Sequence, residues 1–580
     1  MPNNRYSSIA LLMLALANLA VVATARAADA PDLIVYNGKI AAVDQAFSIH
    51  QAMAVQGGKV VKLGADKDVL ALKGDKTRVL DLEGRLVLPG LIDSHVHPSN
   101  AAMHEWDHPI PDMETIQDVL NYIRSRAETL DDGDWIVVRQ VFITRLKEKR
   151  WPTKAELDEV APKNPVMFST GPDASVNSLA LKLSGIDKDF KPTDDTGKIE
   201  KDPVTGEPTG ILRSAGKYVK ASGKSRPSSE QEKDSRLQEL FHDYNSVGLT
   251  GIVDRNSGEG AVMQFARLRA EGKLTVRIAA SYGVSPGGKI EEIRKNIAKV
   301  AEHSLRQPDP QVRIIGLKMF LDGGMLTGSA YMRQPWGVSK IYSIDDPRYQ
   351  GIRYIEPDKL AEIVQITTDH GLQFTAHSVG DGAVHTLLDA YETVNKKQSI
   401  KPLRHCLTHS NFMSKEAVEQ AARLGVVIDI QPAWLWLDTR TLLTQFGYDR
   451  LRYFQPLKSI FEQGAIVGGG SDHMQKIGSL RSINFYNPFW AMWVAITRKA
   501  REVEQPLHPE EALSREQAIR FYTINNAHLM FLEDQVGSLE PGKFADFVIL
   551  DRDLLTCPVD DIRDAQSVKT FLAGKVVYEK

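Results

Sequence analysis

At 580 residues, with 42% hydrophobic and 25% charged side chains, the chain can bury a large core and build more than one domain. A formal charge of −3 gives no electrostatic footprint for nucleic acid. Only two cysteines, Cys406 and Cys557, are present, which excludes a thiolate-rich metal site.

The N-terminus reads as a secretory signal over 1–27. Arg5 supplies a positive start, 9–22 is an apolar run broken only by Asn18, and Ala25-Arg26-Ala27 is an Ala-x-Ala cleavage site. The alternative, a membrane anchor, is disfavoured because the run is short for a span. The expectation is a periplasmic or secreted protein with no stable membrane anchor after cleavage. Removing Arg5 and Arg26 takes the charge from −3 to −5. An exported chain could pair its cysteines, but Cys406 falls in an expected strand and Cys557 in a C-terminal loop, so no disulfide is expected.

Residues 33–40 and 52–60 are β-like runs separated by glycine turns. The C-terminus has the same texture: Gly537-Ser-Leu-Glu-Pro-Gly-Lys-Phe-Ala-Asp546 leads into an apolar strand, and 568–578 offers two more. Segments 31–88 and 536–580 are therefore expected to form one composite β-sandwich domain. Between them, over 89–535, apolar strands alternate with helical stretches, the pattern of a parallel α/β fold. The candidate strands are 86–97, 250–254, 276–282, 314–322, 373–377, 405–409, 426–431 and 466–472. Eight such units predict a (β/α)8 TIM-like barrel. The gap after the first strand demands an insertion at about 100–235, with strand-like runs at 135–141 and 165–169 and a surface loop at 187–210.

The ends of these strands carry the chemistry. Strand 1 ends in Leu88-Pro-Gly-Leu-Ile-Asp-Ser-His-Val-His97, whose i, i+2 histidines His95 and His97 share one face. Strand 4 carries Lys318, strand 5 ends in His377, strand 6 in His409 and strand 8 in Asp472. Each alone has a plain reading: a solvated loop histidine, a core or rim histidine, a Gly-Ser-Asp turn. Lys318 is harder to dismiss, because lysine is rarely buried without a partner or task. Their joint occurrence in barrel order points to a metal site. Neutral imidazoles and a carboxylate suit Zn²⁺ and similar ions. Burial lowers a lysine's pKa, and the neutral amine can then add CO2 to give a carbamate, an anionic ligand able to bridge two ions.

On these residues the chain resembles the amidohydrolase superfamily, from Gly38-Lys39-Ile40 to Gly537–Asp546. Within it the chain is similar to the branch containing N-substituted formamide deformylases. The branch markers are Trp151-Pro152, Val176-Asn-Ser-Leu-Ala-Leu181, Gly206-Glu-Pro-Thr-Gly210, Lys318-Met-Phe-Leu-Asp-Gly323, His377-Ser-Val-Gly-Asp-Gly-Ala383 and Gln431-Pro432. The resemblance implies that His95 and His97 bind one metal, carboxylated Lys318 bridges as N6-carboxylysine, His377 and His409 bind the second, and Asp472 ligates and carries protons. It implies two Zn²⁺ per chain, a small-molecule substrate and hydrolysis of an amide, formamide or cyclic amide. Ester, lactone or phosphoester hydrolysis, or a non-catalytic metal-binding regulatory role, remain alternatives. Departures from the branch pattern, at Pro172, Leu407-Thr408-His409, Asp322-Gly-Gly-Met and His473-Met474, fall where substrate would sit. Trp106, Trp336, Trp434 and His473 are the candidate substrate contacts. If His409 faces the barrel interior, regular alternation puts His405 there too and turns Cys406 to the helices. A homodimer is the base-rate expectation.

Overall fold

A computed structural model describes residues 30–193, 197–222 and 226–580. The expected signal segment, 1–27, lies outside the described residues. No helix among the described residues is long and apolar enough to cross a membrane.

Eight parallel strands form the barrel wall in chain order: Leu91–Val96, Leu249–Ser257, Arg277–Gly283, Val312–Phe320, Gln373–Ser378, Cys406–His409, Val427–Ile430 and Val467–Gly469. They are called barrel strands 1 to 8 below. The wall closes where the chain beyond strand 8 bonds to strand 1, with Asp472 N–H donating to the His95 carbonyl and His97 N–H to the His473 carbonyl, both at 2.8 Å. The (β/α)8 expectation holds. One strand is corrected: 86–97 is not continuous. Leu86–Pro89 joins an outer sheet, pairing with Lys39–Ala41 and Phe547–Leu550, and only Leu91–Val96 enters the barrel. Gly90 marks the crossing, because a Cβ there would come within 2.1 Å of the Thr250 hydroxyl.

One mouth of the barrel is sealed. Ala527, Met530, Leu532 and Val536 pack against the inward-facing Ile92, Val253, Ala279 and Ile315. Each fully buried aliphatic side chain contributes about 1.5–3 kcal/mol. The opposite mouth, where the strands end, is left for chemistry.

Segments 39–89 and 547–579 share one six-stranded sheet, in which Phe547–Leu550 lies between Ser567–Leu572 and Leu86–Pro89. A four-stranded sheet from 33–81 faces it across a common core that includes Val35, Met53, Val87, Phe547 and Phe571. The insertion carries a five-stranded sheet. Ile136–Arg139 and Val166–Ser169, expected as strands, are parallel neighbours in it. The expected surface loop at 187–210 is corrected: Lys198–Lys201 pairs antiparallel with Pro208–Arg213. Asp202 Oδ1 accepts the Val204 and Thr205 N–H groups, and Gly206 takes φ 74°. The Asp/Gly content thus marks a hairpin turn, while Ile199 buries its side chain.

Candidate metal centre

His95 and His97 stand at the end of strand 1 with their Nε2 atoms 3.3 Å apart. Asp472 Oδ1 lies 3.4 Å from His95 Nε2 and 3.2 Å from His97 Nε2. Asp472 adopts φ 56°, and its carbonyl accepts a 2.8 Å hydrogen bond from Asn484 Nδ2. The His409 ring stacks on His95, with centroids 4.8 Å apart, and meets His377 edge-on at 4.6 Å. Lys318 is buried beside them, its amine 5.4 Å from the Phe320 ring centre. The structure therefore brings together the six residues expected as ligands, although the first and last, His95 and Asp472, are 377 positions apart.

Neighbouring strands set the ring orientations. His95 Nδ1 lies 3.1 Å from Asp429 Oδ1, and His409 Nδ1 lies 2.8 Å from Gln431 Oε1. Gln431 Nε2 in turn donates to Asp429 Oδ1 at 2.7 Å. With Nδ1 of each ring so engaged, Nε2 is the nitrogen left to ligate. His377 is the reverse: its Nε2 donates to the Gly323 carbonyl at 3.2 Å, leaving Nδ1. His97 Nδ1 sits 3.7 Å from Asp254 Oδ1.

Burial lowers His95 and His409 well below the ordinary imidazole value, with the Lys318 charge contributing, and takes His377 to about 3. These rings are neutral, the form that binds metal. At His97 burial opposes the charge, but Asp254 and Asp472 override it and raise the group to about 9. Burial brings Lys318 down to about 8 against the pull of Asp429 and Asp472, and raises the Asp472 carboxyl.

The donors fit a divalent cation. Asp472 Oδ1 is buried without a hydrogen-bond partner although two imidazole nitrogens converge on it. His95, His97 and Asp472, and likewise His95, His409 and Asp429, offer ligand atoms all within 4.8 Å of one another. Imidazole nitrogen with carboxylate oxygen is the donor set of a divalent metal site.

The aromatic candidates separate. Trp434 stacks on His409 at 4.9 Å, its Nε1 3.3 Å from Asn484 Oδ1. Trp336 is corrected: it is core, buried between Tyr342 and Phe446 with its N–H donated to the Ala330 carbonyl. His473 is also corrected. Its Nδ1 bonds Tyr244 Oη at 2.7 Å, its Nε2 meets the Gln475 and Lys476 carbonyls at 2.6 and 2.8 Å, and no ring nitrogen remains for substrate. Trp106 lines a cavity of about 650 Å³ against the insertion, under the Arg226 guanidinium, and no residue of the metal cluster lines that cavity.

Two further expectations reverse. His405 faces the helices, stacked on Tyr391 and bonded to Thr368 Oγ1. Cys406 faces the interior, its Sγ 3.9 Å from Asp429 Oδ2. His409 and Ser410 take φ 74° and 43°, which swings the end of strand 6 over and breaks the alternation. Cys406 and Cys557 are free thiols. Sequence reading missed Asp429, Gln431, Asp254 and the 43% exposed Phe320, whose ring lies 5.3 Å from His377. Asp429 and Gln431 did leave a signal: two polar groups at i, i+2 in the apolar strand Val427-Ile-Asp-Ile-Gln431.

A family model described as an amidohydrolase family matches residues 78–578. The chain is 28% identical to the N-substituted formamide deformylase of Arthrobacter pascens, over 95% of this chain and 98% of that one. It is 26% identical to the putative amidohydrolase YtcJ of Bacillus subtilis (strain 168), over 91% and 96%. In fold it matches an uncharacterised metal-dependent hydrolase from Pyrococcus furiosus, with TM-score 0.64 and 22% identity, covering 90% of this chain and all of that one.

Proposed function

The chain belongs to the amidohydrolase family, and from that premise we propose that it is a metal-dependent hydrolase of a carbon–nitrogen bond, with an N-substituted formamide or related amide as substrate. The observation that carries the reading is the convergence of His95, His97, His377, His409 and Asp472 around the buried Lys318. The formamide class rests on the likeness to the Arthrobacter deformylase.

His95 and His97 would hold one divalent ion and His377 and His409 a second, and zinc suits these donors. Burial favours the uncharged form of the Lys318 amine, which could add CO2 with loss of a proton and so supply an anionic carbamate as a further ligand. Ions held there lend Lewis acidity to a substrate carbonyl and to water. Asp472 Oδ1 takes the proton of the attacking water and delivers it to the departing nitrogen. Asp429 and Gln431 keep the ring nitrogens aimed. The exposed Phe320 presents a flat apolar face beside His377 for the substituent on that nitrogen, and Trp434 backs the His409 ring. Export with loss of 1–27 is part of the same proposal.

Elemental analysis of the mature protein, prepared without added metal, tests the site. About two divalent ions per chain support it, one removes the bridging role of Lys318, and none after reconstitution overturns it. A panel of N-substituted formamides, other amides, lactones and phosphotriesters tests the bond class, which turnover of lactones or phosphotriesters alone would overturn. Asp472→Asn is expected to cut turnover roughly 10²–10⁴-fold. Near wild-type turnover would remove Asp472 as the proton carrier.

A further inference from the structure

Beneath the metal cluster a charged side chain crosses the barrel. Arg255, on strand 2, is fully buried. Its Nε donates to the Ser94 carbonyl on strand 1 and lies 3.1 Å from Asp429 Oδ2 on strand 7. Its Nη1 donates to Ser281 Oγ on strand 3 at 3.2 Å and to Gln373 Oε1 on strand 5 at 3.1 Å. One guanidinium thus ties strand 2 to four others, which the point charge of a lysine could not do.

We propose that Arg255 is a positioning residue for the metal centre, acting through Asp429 to fix the ring of His95 and, through Gln431, that of His409. The inference rests on the metal reading above. The two oxygens of Asp429 are divided between two tasks. Oδ2 forms the ion pair with the Arg255 guanidinium and accepts the Thr408 hydroxyl at 3.2 Å. Oδ1 is thereby presented to His95 Nδ1 and Gln431 Nε2. A carboxylate only accepts, so the Gln431 amide must turn its NH2 to Asp429 and its carbonyl to His409. His409 must then carry its proton on Nδ1, as His95 must, and both Nε2 lone pairs point into the cluster. Without the guanidinium, Asp429 Oδ2 loses its charged anchor. The carboxylate can then rotate, and both tautomers lose their common reference.

The test is metal affinity, read separately from turnover. Apo protein is titrated with Co²⁺ against a competing chelator, and the visible absorption of the Co²⁺ form is recorded. Arg255→Met is expected to weaken affinity roughly 10–100-fold and to change the spectrum. Arg255→Lys, which keeps the charge and loses the fork, should fall between Met and wild type. Asp429→Asn should weaken affinity similarly, and the Arg255→Lys/Asp429→Asn double variant should be little worse than the poorer single, because both act on one element. His405→Ala, destabilising but on the helix side of the wall, should bind Co²⁺ as wild type does. Wild-type affinity and spectrum in folded Arg255→Lys would overturn the inference, as would additive losses in the double variant or an equal loss in His405→Ala. Should Arg255→Met fail to fold, Arg255→Lys and the double variant decide. Failure of the wild-type chain to take up Co²⁺ at all would instead overturn the metal reading.

Discussion

His405 and His409 stand four residues apart on one stretch of barrel wall, and they have opposite environments. His405 stacks on Tyr391, accepts the Phe374 N–H on Nδ1 and reaches Thr368 with Nε2, so both ring nitrogens are used in holding strand to helix. His409 turns inward against His95 and His377, with one nitrogen held by Gln431 and the other directed to the cluster. On a regular strand the two would share a face. The left-handed φ of His409 and Ser410 separates them. Strand 1 offers the contrast: the chain beyond it stays tied to the end of strand 8, and His95 and His97 both reach the mouth. Side-chain alternation is thus a property of the hydrogen-bonded ladder and lapses at the residue where the ladder ends. Catalytic groups sit at those ends.

Paired substitutions put this contrast at risk. The largest effect is expected for His409→Ala, with turnover falling roughly 10³-fold and one metal equivalent lost. His405→Ala should cost about 3 kcal/mol of stability through lost packing and hydrogen bonds while turnover per folded molecule stays within about twofold. Denaturation and steady-state kinetics on both variants check this, and equal activity losses would erase the distinction. Lys318→Ala should lose metal and recover part of its activity with acetate or propionate, whereas those acids should do nothing for His409→Ala; full metal content in Lys318→Ala would end the bridging role. The two tryptophans separate on a smaller scale. Trp336→Ala should cost about 3–5 kcal/mol with kcat/KM little changed, because the ring is core. Trp434→Ala should lower kcat/KM by about tenfold, because its ring backs His409. A reversed ranking would mean that Trp336, not Trp434, serves the site.

The barrel was legible because its strands are apolar runs with sharp ends and because parallel wall strands bury both faces. The residues that converge at the candidate metal centre were legible because lysine, histidine and aspartate are conspicuous at the ends of such runs. The outer sheet was harder: 86–97 reads as one strand, and only the pairings on either side of position 90 show that the chain changes sheets there, at a residue where a side chain would clash with Thr250. Lys198–Lys201 was hidden because four residues with two lysines and a glutamate do not look like a strand, and only pairing with Pro208–Arg213 makes them one. His473 and Trp336 have the composition of a pocket wall. Their loss to packing depends on Tyr244 and Ala330, which no local pattern connects to them.

The sequence by itself determined the order of the strands, the kinds of donor at their ends and the inward reach of His95 and His97, because those follow from short-range periodicity. The tertiary structure alone decided which nitrogen of each ring is free and on which side His405 and Cys406 lie. It also decided that Asp429 answers to both Arg255 and His95. Those outcomes depend on hydrogen bonds between strands distant in the chain and on two left-handed residues at a strand end, neither of which periodicity encodes.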